Sequence, residues 1–600
     1  MDRLELWARA AGLAPRLAGT ALRAWITLEP ADWSRVANCW ADTVALLGDS
    51  PARLSVHARL LRAARRLDEA VAIGRQLVRR SPAEGSVLLE LGRALRAAGQ
   101  RQEAIATLRA AAAAGAQRAE RDLLRYGARA QLPAPAGTVF APEDYANFAG
   151  EFPPPPPPPF AADLQFGIRI AGDTAAQAAT LASLERQTYR GWHVGRTEDD
   201  AILDLPAGAQ LAPEALAWLA WAFSATGCAE ARADHDYIAP NGRRCDPVLL
   251  PAPDFLWTEG PQGIARLRAS LPGRTGPVAH VPLVLMSLPR AGAQEAGQAI
   301  PDAPPRRLSV IIPTRDNPEL LTAAVESLLG KASQPDCIEL LIVDNDSRSP
   351  QTEAAFSRLA ERPGTRILRF PEPFNWSRAN NQAAGVANGE TLLFLNDDTV
   401  MLTPGWDRIL AGLFASPAVG LAGARLVYPD GTIQHGGFVF GMDNGPQHEG
   451  RWRDADDPGP AGRWTAIRQS VAVTGAFIAV RRDYFTSLGR FDEQAFAIDF
   501  ADLDLCLRVR TTGKAVVYCG AISLTHHESH SRGLNLGRAK RRRMARERAE
   551  FDRRWGDMAV QDPWYHPAWS RLGCSFDGMK AVTGDQVAAA TLNRTGLSFP

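Results

Sequence analysis

Apolar runs and helical patterns alternate between residues 308 and 395, and this alternation constrains the fold more than any other feature of the chain. The apolar runs occupy 308–314, 337–344, 365–370 and 391–395, and the helical segments between them occupy 318–330, 351–362 and 377–388. Strands that alternate with helices form a parallel sheet that carries helices on both faces. The pattern predicts a doubly wound α/β domain, which binds ligands at the carboxyl ends of its strands.

The fourth apolar run ends on three polar residues, Asn396, Asp397 and Asp398. Carboxylate oxygens at such an edge can hold a divalent cation, Mn²⁺ or Mg²⁺, against a phosphate. A turn is an equal interpretation of these residues taken alone, because Asn and Asp favour turns and helix caps. Thr314 and Asp344 end the first and second runs, where they are either nucleotide contacts or turn residues. No Gly-x-Gly-x-x-Gly or Walker sequence accompanies them, which disfavours dehydrogenases and NTPases.

Composition and charge narrow the class of protein. The 600 residues are 46% apolar with a formal net charge of +1, so we expect roughly three to four globular domains and no global attraction to nucleic acid. Seven cysteines occur without Cys-x-x-Cys pairs, which disfavours a disulfide framework and fits a reducing cytosol. The N-terminus lacks a secretory signal, and no window approaches the roughly 18 apolar residues of a membrane span. These observations predict a cytoplasmic protein.

The N-terminal region contains a repeat with a period of 34 residues, which separates Glu69 from Glu103 and Ala70 from Ala104. This is the period of the tetratricopeptide repeat. Residues 1–130 are therefore predicted to be an all-α region of tetratricopeptide-like repeats that binds or positions a protein partner. An ordinary Ala-rich helical hairpin is the alternative, since two copies are visible where three or more are usual.

A proline-rich segment at 131–160 ends in an uninterrupted run of seven prolines at 153–159. We expect a stiff polyproline II linker. The alternative is a ligand for a proline-binding domain, which the position between two globular patterns disfavours.

The chain from about 306 to 570 resembles the family 2 glycosyltransferases of the GT-A fold, especially the rhamnosyltransferase-like members that build surface polysaccharides such as O-antigen. The resemblance rests on an ordered set of motifs rather than on one pattern. The motifs are Val310-Ile-Ile-Pro-Thr-Arg315, Ile342-Val-Asp-Asn-Asp-Ser347, Phe374-Asn-Trp-Ser-Arg-Ala-Asn-Asn381, Phe394-Leu-Asn-Asp-Asp-Thr399, Tyr428-Pro-Asp-Gly-Thr-Ile-Gln-His-Gly-Gly437, Val473-Thr-Gly-Ala476, Asp502-Leu-Asp-Leu-Cys-Leu-Arg508 and His526-His-Glu-Ser-His-Ser-Arg-Gly533. The resemblance implies a GT-A nucleotide-binding sheet in a catalytic domain at 301–535.

The resemblance also implies a donor site. Thr314 and Asp344 would contact the nucleoside, Arg378 and Asn380 would flank the diphosphate, and Asn396–Asp398 would occupy the Asp-x-Asp motif. The expected nucleotide-sugar contacts are Thr314, Arg315, Asp344, Arg378, Asn380, Asp397 and Arg532. The first motif position is Asn396 instead of Asp, which makes Asp398 the expected metal ligand together with His526.

A transfer reaction also needs a base that takes the proton of the acceptor hydroxyl. Asp502 at the start of an amphipathic helix is the predicted base, with a carboxylate favoured only by the helix dipole as the alternative. Many relatives have Glu-Asp or Asn-Asp where this chain has Ala501-Asp502. Asp504 lies on another side of that helix, so we expect a supporting role for it. Gly475 and Ala476 are small residues in an otherwise bulky strand, and they either make space for the acceptor or allow close packing.

Residues 161–300 resemble pieces of the same family. Helices are expected near 174–187 and 213–224 and a strand at 166–170, but the space between Gly195 and Gln210 is too short for the usual strand–helix units. We therefore predict a shortened, degenerate and inactive GT-A-like domain. An unrelated α/β domain is the alternative.

The C-terminal segment, 536–600, begins with a basic helix. Residues 538–554 hold nine basic residues against three acidic ones. They form either a solvated helix face or a peripheral contact with the anionic inner face of a membrane, where lipid-linked acceptors reside.

Taken together, these patterns predict an inverting, metal-dependent glycosyltransferase. Its expected partners are a nucleotide-diphosphate sugar and a glycan or lipid-linked glycan acceptor, with no nucleic acid. The competing hypothesis is a non-catalytic scaffold built from glycosyltransferase-like and tetratricopeptide-like domains. A nucleotidyltransferase is disfavoured, because the chain lacks a Gly-rich, basic phosphate loop.

Overall fold

A computed structural model of the chain describes residues 30–64, 66–98, 100–116, 119, 139–195, 201–252, 267–290, 300–442, 445–527, 538–560 and 562–595. The chain divides into two compact units. One comprises 1–133, 428–432 and 532–549, and the other comprises 134–427, 433–531 and 550–600.

The N-terminal region is helical. Its helices are α1 (Pro30–Leu47), α2 (Pro51–Ala63), α3 (Leu67–Arg80), α4 (Gly85–Ala97) and α5 (Arg101–Ala113). The α4–α5 pair repeats the α2–α3 pair with an offset of 34 residues at both helix starts. Gly92 allows the pair to approach closely, because a Cβ atom there would lie 2.6 Å from Cγ of Leu108. The predicted helical repeat is thus present as two helix–turn–helix units in the described residues.

The region after the proline run forms a first α/β sheet. Its strands are β1 (Phe166–Ala171), β2 (Trp192–Val194), β3 (Ala201–Pro206), β4 (Gln210–Leu211), β5 (Glu230–Ile238), β6 (Arg244–Val248), β7 (Leu267–Ser270) and β8 (Val278–Pro289). The accompanying helices are α6 (Tyr145–Glu151), α7 (Thr174–Glu185) and α8 (Ala215–Thr226). The strand order is β2-β1-β3-β7-β5-β8-β4, and β6 pairs with β5.

A second, larger sheet follows. Its strands are β9 (Leu308–Thr314), β10 (Ile338–Asp344), β11 (Thr365–Arg369), β12 (Thr391–Leu395), β13 (Thr399–Met401), β14 (Val419–Val427), β15 (Ile433–His435), β18 (Ile467–Gln469), β19 (Phe477–Arg481) and β20 (Ala515–His526), and β16 (Phe438–Val439) and β17 (Gln447–His448) form a separate pair. The helices are α9 (Pro318–Lys331), α10 (Pro350–Ala360), α11 (Trp376–Val386), α12 (Trp406–Ala415), α13 (Arg482–Ser487), α14 (Ala501–Thr511) and α15 (Arg538–Ala559). A last helix, α16 (Gly584–Arg594), packs against β8 of the first sheet. The order β11-β10-β9-β12-β19-β14-β20-β13 is that of the predicted doubly wound sheet with an antiparallel extension.

The two sheets share one topology. In each sheet the first strand is parallel to its two neighbours, as β1 is to β2 and β3, and as β9 is to β10 and β12. The next two pairings are antiparallel in both sheets, through β7 in the first and β19 in the second. Parallel pairs then follow, β5 with β8 and β14 with β20. The first sheet is therefore a shortened counterpart of the second, which agrees with the predicted degenerate GT-A-like domain.

Two segments of the larger sheet have no counterpart among the described residues of the first. Six residues connect β2 to β3, whereas 46 residues connect β10 to β12 and include α10, β11 and α11. Seven residues connect β7 to β8, whereas 33 connect β19 to β20 and include α14. The first sheet consequently lacks the helix that carries Asp502.

The proline run packs against the shortened domain instead of spanning open solvent. Nε1–H of the buried Trp218 in α8 donates to the carbonyl of Pro155 at 2.7 Å. Exposure along the run has a period of three, since Pro153, Pro156 and Pro159 are exposed and the prolines between them are half-buried. This is the periodicity of polyproline II, so the segment is a strut that covers α8.

Candidate active site

The carboxyl ends of β9 and β12 meet at one edge of the larger sheet, because these strands are parallel neighbours. Thr314 ends β9, and its Oγ1 donates to Oδ2 of Asp397 at 2.7 Å. Nδ2 of Asn317 donates to the same oxygen at 3.4 Å. Thr314 and Asp397 are both buried. Their hydrogen bond shows that two residues predicted from separate motifs to bind the nucleotide sugar are in direct contact.

Asp398 lies against the end of β20. Its Oδ1 is 3.0 Å from Nε2 of His526, and its carbonyl accepts a hydrogen bond from the backbone N–H of His527 at 2.9 Å. Both residues are buried, at 3% and 8% exposure. The antiparallel pairing of β13 with β20, which places Thr399 opposite His526, brings the two predicted metal ligands together.

Gly475 and Ala476 connect this pair to Asp502. The backbone N–H of Gly475 donates to Oδ2 of Asp502 at 2.8 Å, and the carbonyl of Ala476 accepts from the N–H of Asn396 at 3.1 Å. The sequence interpretation placed both residues inside a strand, but they form the turn before β19. Because Gly475 lies in a turn, its N–H is not part of a strand ladder and holds the carboxylate of Asp502.

Asp502 and Asp504 have different environments. Burial raises the pKa of Asp502, although backbone N–H groups of Gly475 and Leu503 oppose that shift. Asp504 is fully buried and accepts hydrogen bonds from Arg508, Arg554 and Trp555 at 2.8–2.9 Å. Asp504 is thus fixed in an ion-pair network, whereas Asp502 is held only by backbone donors among the contacts that the described residues make.

The other predicted donor contacts are held by protein partners. Asp344 ends β10 and binds Arg369 at 2.6 Å. The guanidinium of Arg378 binds Glu372 at 2.8 Å and Glu493 at 3.0 Å. Their roles at a nucleotide remain predictions that require these ion pairs to rearrange.

Three further predicted residues differ in their surroundings. Arg315 is exposed just after β9. Asn380 is buried in α11, where its Nδ2 donates to the carbonyl of Trp376 and its Oδ1 has no hydrogen-bond partner among the described residues. Arg532 lies outside the described residues.

Gln434, a residue that contacts one of the predicted metal ligands, was not predicted from the sequence. Its Oε1 is 2.6 Å from Nδ1 of His526, across 92 residues of sequence. The residue lies inside the motif 428–437 quoted above, which was the only sign of it in the sequence.

The chemistry of the edge fits a divalent cation. Adjacent ligands of an octahedral ion with bonds of about 2.0–2.1 Å lie about 3 Å apart, and Asp398 Oδ1 and His526 Nε2 are 3.0 Å apart. In the part of the chain that the structure describes, no group of three or more His, Cys, Asp or Glu side chains could hold a metal. A pair of protein ligands suits Mg²⁺, which usually takes its remaining ligands from substrate phosphates and water.

Comparison with known proteins identifies the domain. Residues 309–472 match the family described as glycosyl transferase family 2. The chain carries a family 2 glycosyltransferase domain. Its α/β sheet and the helical region before it were both predicted from the sequence, and the structure confirms both.

The glycosyltransferase domain has relatives among curated proteins. The chain is 37% identical over 261 residues to the uncharacterized protein y4gI of Sinorhizobium fredii, which covers 43% of this chain and 29% of that protein. It is 37% identical over 299 residues to the O-antigen biosynthesis protein RfbC of Myxococcus xanthus, which covers 48% of this chain and 22% of that protein. The chain thus spans under a third of the length of these two relatives.

A solved structure is also similar to this chain, the mannosyltransferase PcManGT from Pyrobaculum calidifontis in complex with GDP-Man and Mn²⁺. The TM-score is 0.32 and the identity is 18%, over 45% of this chain and 71% of that chain. Within the described residues, no helix of the protein is sufficiently long and apolar to span a bilayer.

Proposed function

We propose that residues 301–535 transfer a sugar, with inversion, from a nucleotide-diphosphate sugar to a hydroxyl of a glycan or lipid-linked glycan acceptor. The observation that carries the proposal is the link between two carboxylates through one turn. Gly475 holds Asp502 by its N–H, and Ala476 holds the Asn396–Asp398 loop by its carbonyl. The proposed base and the loop proposed to face the phosphates lie on opposite sides of a two-residue turn. This arrangement suits a single direct displacement of the nucleoside diphosphate by the acceptor hydroxyl.

Thr314, Asp344 and Asp397 line the donor side of the edge. Asp344 and Thr314 occupy opposing register positions in β10 and β9, so both reach the same nucleoside position. Arg378 and Arg315 are the basic groups available to the diphosphate after the ion pairs of Arg378 open. Arg532 is proposed to contact the same group.

Asp398 and His526 would hold Mn²⁺ or Mg²⁺, which would neutralise the leaving nucleoside diphosphate. The 3.0 Å separation of their ligand atoms supports this assignment.

Asp502 is the proposed base. Burial raises its pKa, and a carboxylate with a raised pKa accepts a proton from an acceptor hydroxyl more readily than an ordinary one. The lack of a side chain at Gly475 would leave space for the acceptor beside Asp502. A Cβ there would fill that space, in van der Waals contact with Oδ2 of Asp502 at 3.5 Å and with the indole of Trp376 at 3.4 Å.

The biological setting is also a proposal. The M. xanthus relative is named for O-antigen biosynthesis, which supports a role in cell-surface polysaccharide assembly in the cytoplasm. Peripheral contact of the basic helix α15 with the inner face of the membrane would bring a lipid-linked acceptor to the enzyme. The helical repeats would recruit a protein partner.

The decisive experiment is Asp502→Asn. The variant keeps the size of the side chain but cannot take the acceptor proton, so transfer should fall by about two to four orders of magnitude. Donor and Mn²⁺ binding should remain at the parental level in calorimetry. Donor screening by mass spectrometry, with and without Mn²⁺, would first supply the substrate.

A scaffold without turnover predicts a different result. In that case no donor is consumed by the parental protein, and Asp502→Asn changes nothing. Transfer by the Asn variant at the parental rate would instead assign the base to another residue.

A further inference from the structure

The side chain of Gln434 in β15 faces His526 from the side opposite to Asp398. Gln434 is 4% exposed, and its Oε1 is 2.6 Å from Nδ1 of His526. An amide oxygen only accepts hydrogen bonds, so Nδ1–H of the imidazole is the donor. This contact places the ring proton of neutral His526 on Nδ1.

An amide contact at the other ring nitrogen agrees with that tautomer. Nδ2 of Asn396 is 3.3 Å from Nε2 of His526, and an amide N–H donates to a nitrogen that carries a lone pair. Oδ1 of Asp398 lies 3.0 Å from the same Nε2 atom. Because a lone pair and a carboxylate oxygen repel each other at that distance, this tautomer is the one that a cation bound between the two atoms would stabilise. Two amides on opposite sides of the ring therefore specify one protonation pattern.

The opposite tautomer conflicts with both amides. It would leave a lone pair at Nδ1 facing the oxygen of Gln434, and it would point Nε2–H at the N–H of Asn396. A metal ion binds a histidine through a lone pair, and a fixed partner at the other nitrogen sets the tautomer and the ring orientation. Burial of Gln434 keeps water from replacing that partner.

We propose that Gln434 is a positioning residue of the cation site, which holds His526 with Nε2 presented to the metal. This inference rests on the proposed function, because it takes Asp398 and His526 as the metal ligands. Gln434 does not touch the reacting atoms. It acts through the imidazole, so its loss should weaken metal affinity before it alters the rest of the fold.

The test measures Mn²⁺ binding to the full-length protein by electron paramagnetic resonance of the free ion, with Mn²⁺ alone as the probe. Gln434→Met keeps the length of the side chain and removes the acceptor oxygen, and it should weaken Mn²⁺ binding by about 10–100-fold. Gln434→Glu retains an acceptor at the same distance and should restore parental affinity or exceed it. Gln434→Asn withdraws the oxygen from the ring and should weaken binding like the Met variant.

Two controls separate this inference from the proposed function. His526→Ala should abolish the binding that the parental protein shows, and thermal unfolding should show that each Gln434 variant is folded. Parental Mn²⁺ affinity in folded Gln434→Met and Gln434→Asn, together with loss in His526→Ala, would overturn the positioning role and leave the metal site intact. Binding that His526→Ala does not change would overturn the metal assignment itself, and the role of Gln434 with it.

A second measurement distinguishes positioning from a structural role. In Gln434→Met, saturating Mn²⁺ should return most of the transfer rate, because the defect is in the occupancy of the site. Transfer that stays low at saturating Mn²⁺ in a folded variant would contradict the inference.

Discussion

Apart from the additional strand β11, the shortened sheet and the glycosyltransferase sheet have the same strand order, but they differ at the edge where the larger one holds its acidic residues. The loop between β12 and β13 is Asn396, Asp397 and Asp398, and the equivalent loop between β3 and β4 is Ala207, Gly208 and Ala209. The shortened sheet retains the strand pairing and an apolar core, but it lacks the polar residues at this edge. The sheet and the site are therefore specified by different residues, and a shared fold alone does not predict a shared chemistry.

The shortened domain places its buried charge elsewhere. Oδ1 of Asp234 in β5 is 2.8 Å from Nε2 of His280, and Oδ2 is 2.8 Å from Nε2 of His566 in the C-terminal segment. Arg594 in α16 contacts both this cluster and the carbonyl of Tyr565. One sheet thus places carboxylates at the edge that is proposed to bind the donor, and the other uses a carboxylate to hold the C-terminal segment.

The largest effect is expected at the edge of the larger sheet. Asp398→Ala should abolish Mn²⁺-stimulated donor binding, because it removes the charged ligand from the loop. Calorimetry with and without Mn²⁺ measures the loss. The matched control is Asp204→Ala. Asp204 lies on β3 in an exposed ion pair with Arg169, and this variant should bind the donor like the parental protein. Unchanged Mn²⁺-dependent affinity in Asp398→Ala would remove the functional difference between the two edges.

A large effect on stability is expected in the shortened sheet. Asp234→Ala leaves Nε2 of two buried histidines without the acceptor, and the backbone N–H of Leu250 loses its bond as well. We expect the free energy of unfolding to fall by about 3–5 kcal/mol, as measured by urea denaturation. Asp204→Ala again serves as control, since exposed pairs contribute about 0–1 kcal/mol. A loss below 1 kcal/mol for Asp234→Ala would show that the cluster does not hold this domain together.

A fall in pH should weaken the cluster of Asp234, His280 and His566 more gradually than Asp234→Ala does. Burial lowers the pKa of His566 to about 4, whereas an unfolded histidine titrates near 6.5. The unfolded chain binds this proton first as the pH falls, so the stabilisation is complete above pH 6.5 and is lost between about pH 6.5 and 4. Burial raises the pKa of Asp234, but the imidazoles of His280 and His566 outweigh it and hold that pKa below its usual value, which also favours folding at higher pH.

The expected loss is up to about 3 kcal/mol over that range. Urea unfolding at pH 7.5, 6 and 4.5 measures it. His566→Gln cannot titrate and should show a flatter pH dependence than the parental protein. Equal slopes for the two proteins would exclude His566 as the titrating group.

The smallest effect is expected from removal of residues 1–130. Turnover on a soluble acceptor should stay within about twofold, because the helical repeats supply recruitment rather than chemistry. Steady-state kinetics with a soluble acceptor tests this. Loss of turnover would mean that a catalytic element lies in the helical region, and the comparison of the two sheets would then be incomplete.

The sequence predicted the sheet of the glycosyltransferase domain closely. The strands at 308–314 and 391–395 were predicted with the bounds observed, and the second strand begins at Ile338, one residue later than expected. Apolar runs bounded by polar turns carry this information locally. The contact between Thr314 and Asp397 follows from the same pattern, because ends of neighbouring parallel strands share an edge.

The remaining features depend on contacts between distant residues, which a single sequence does not contain. Gln434 reaches His526 across 92 residues, and Asp234 reaches His566 across 332. The Gly475–Ala476 turn was predicted as strand, because small residues are equally compatible with a packed strand and with a turn. The ion pairs that hold Asp344 and Arg378 likewise depend on tertiary packing.

The proline strut over α8 has a consequence for the unfolded chain. Each proline has a fixed φ, so the seven residues of 153–159 sample few conformations before folding and lose little backbone entropy when they settle against Trp218. A flexible segment of equal length would lose about 1–2 kcal/mol per residue. The proline strut therefore stabilises the shortened domain largely by lowering the conformational entropy of the unfolded chain. A few contacts suffice to keep it in place.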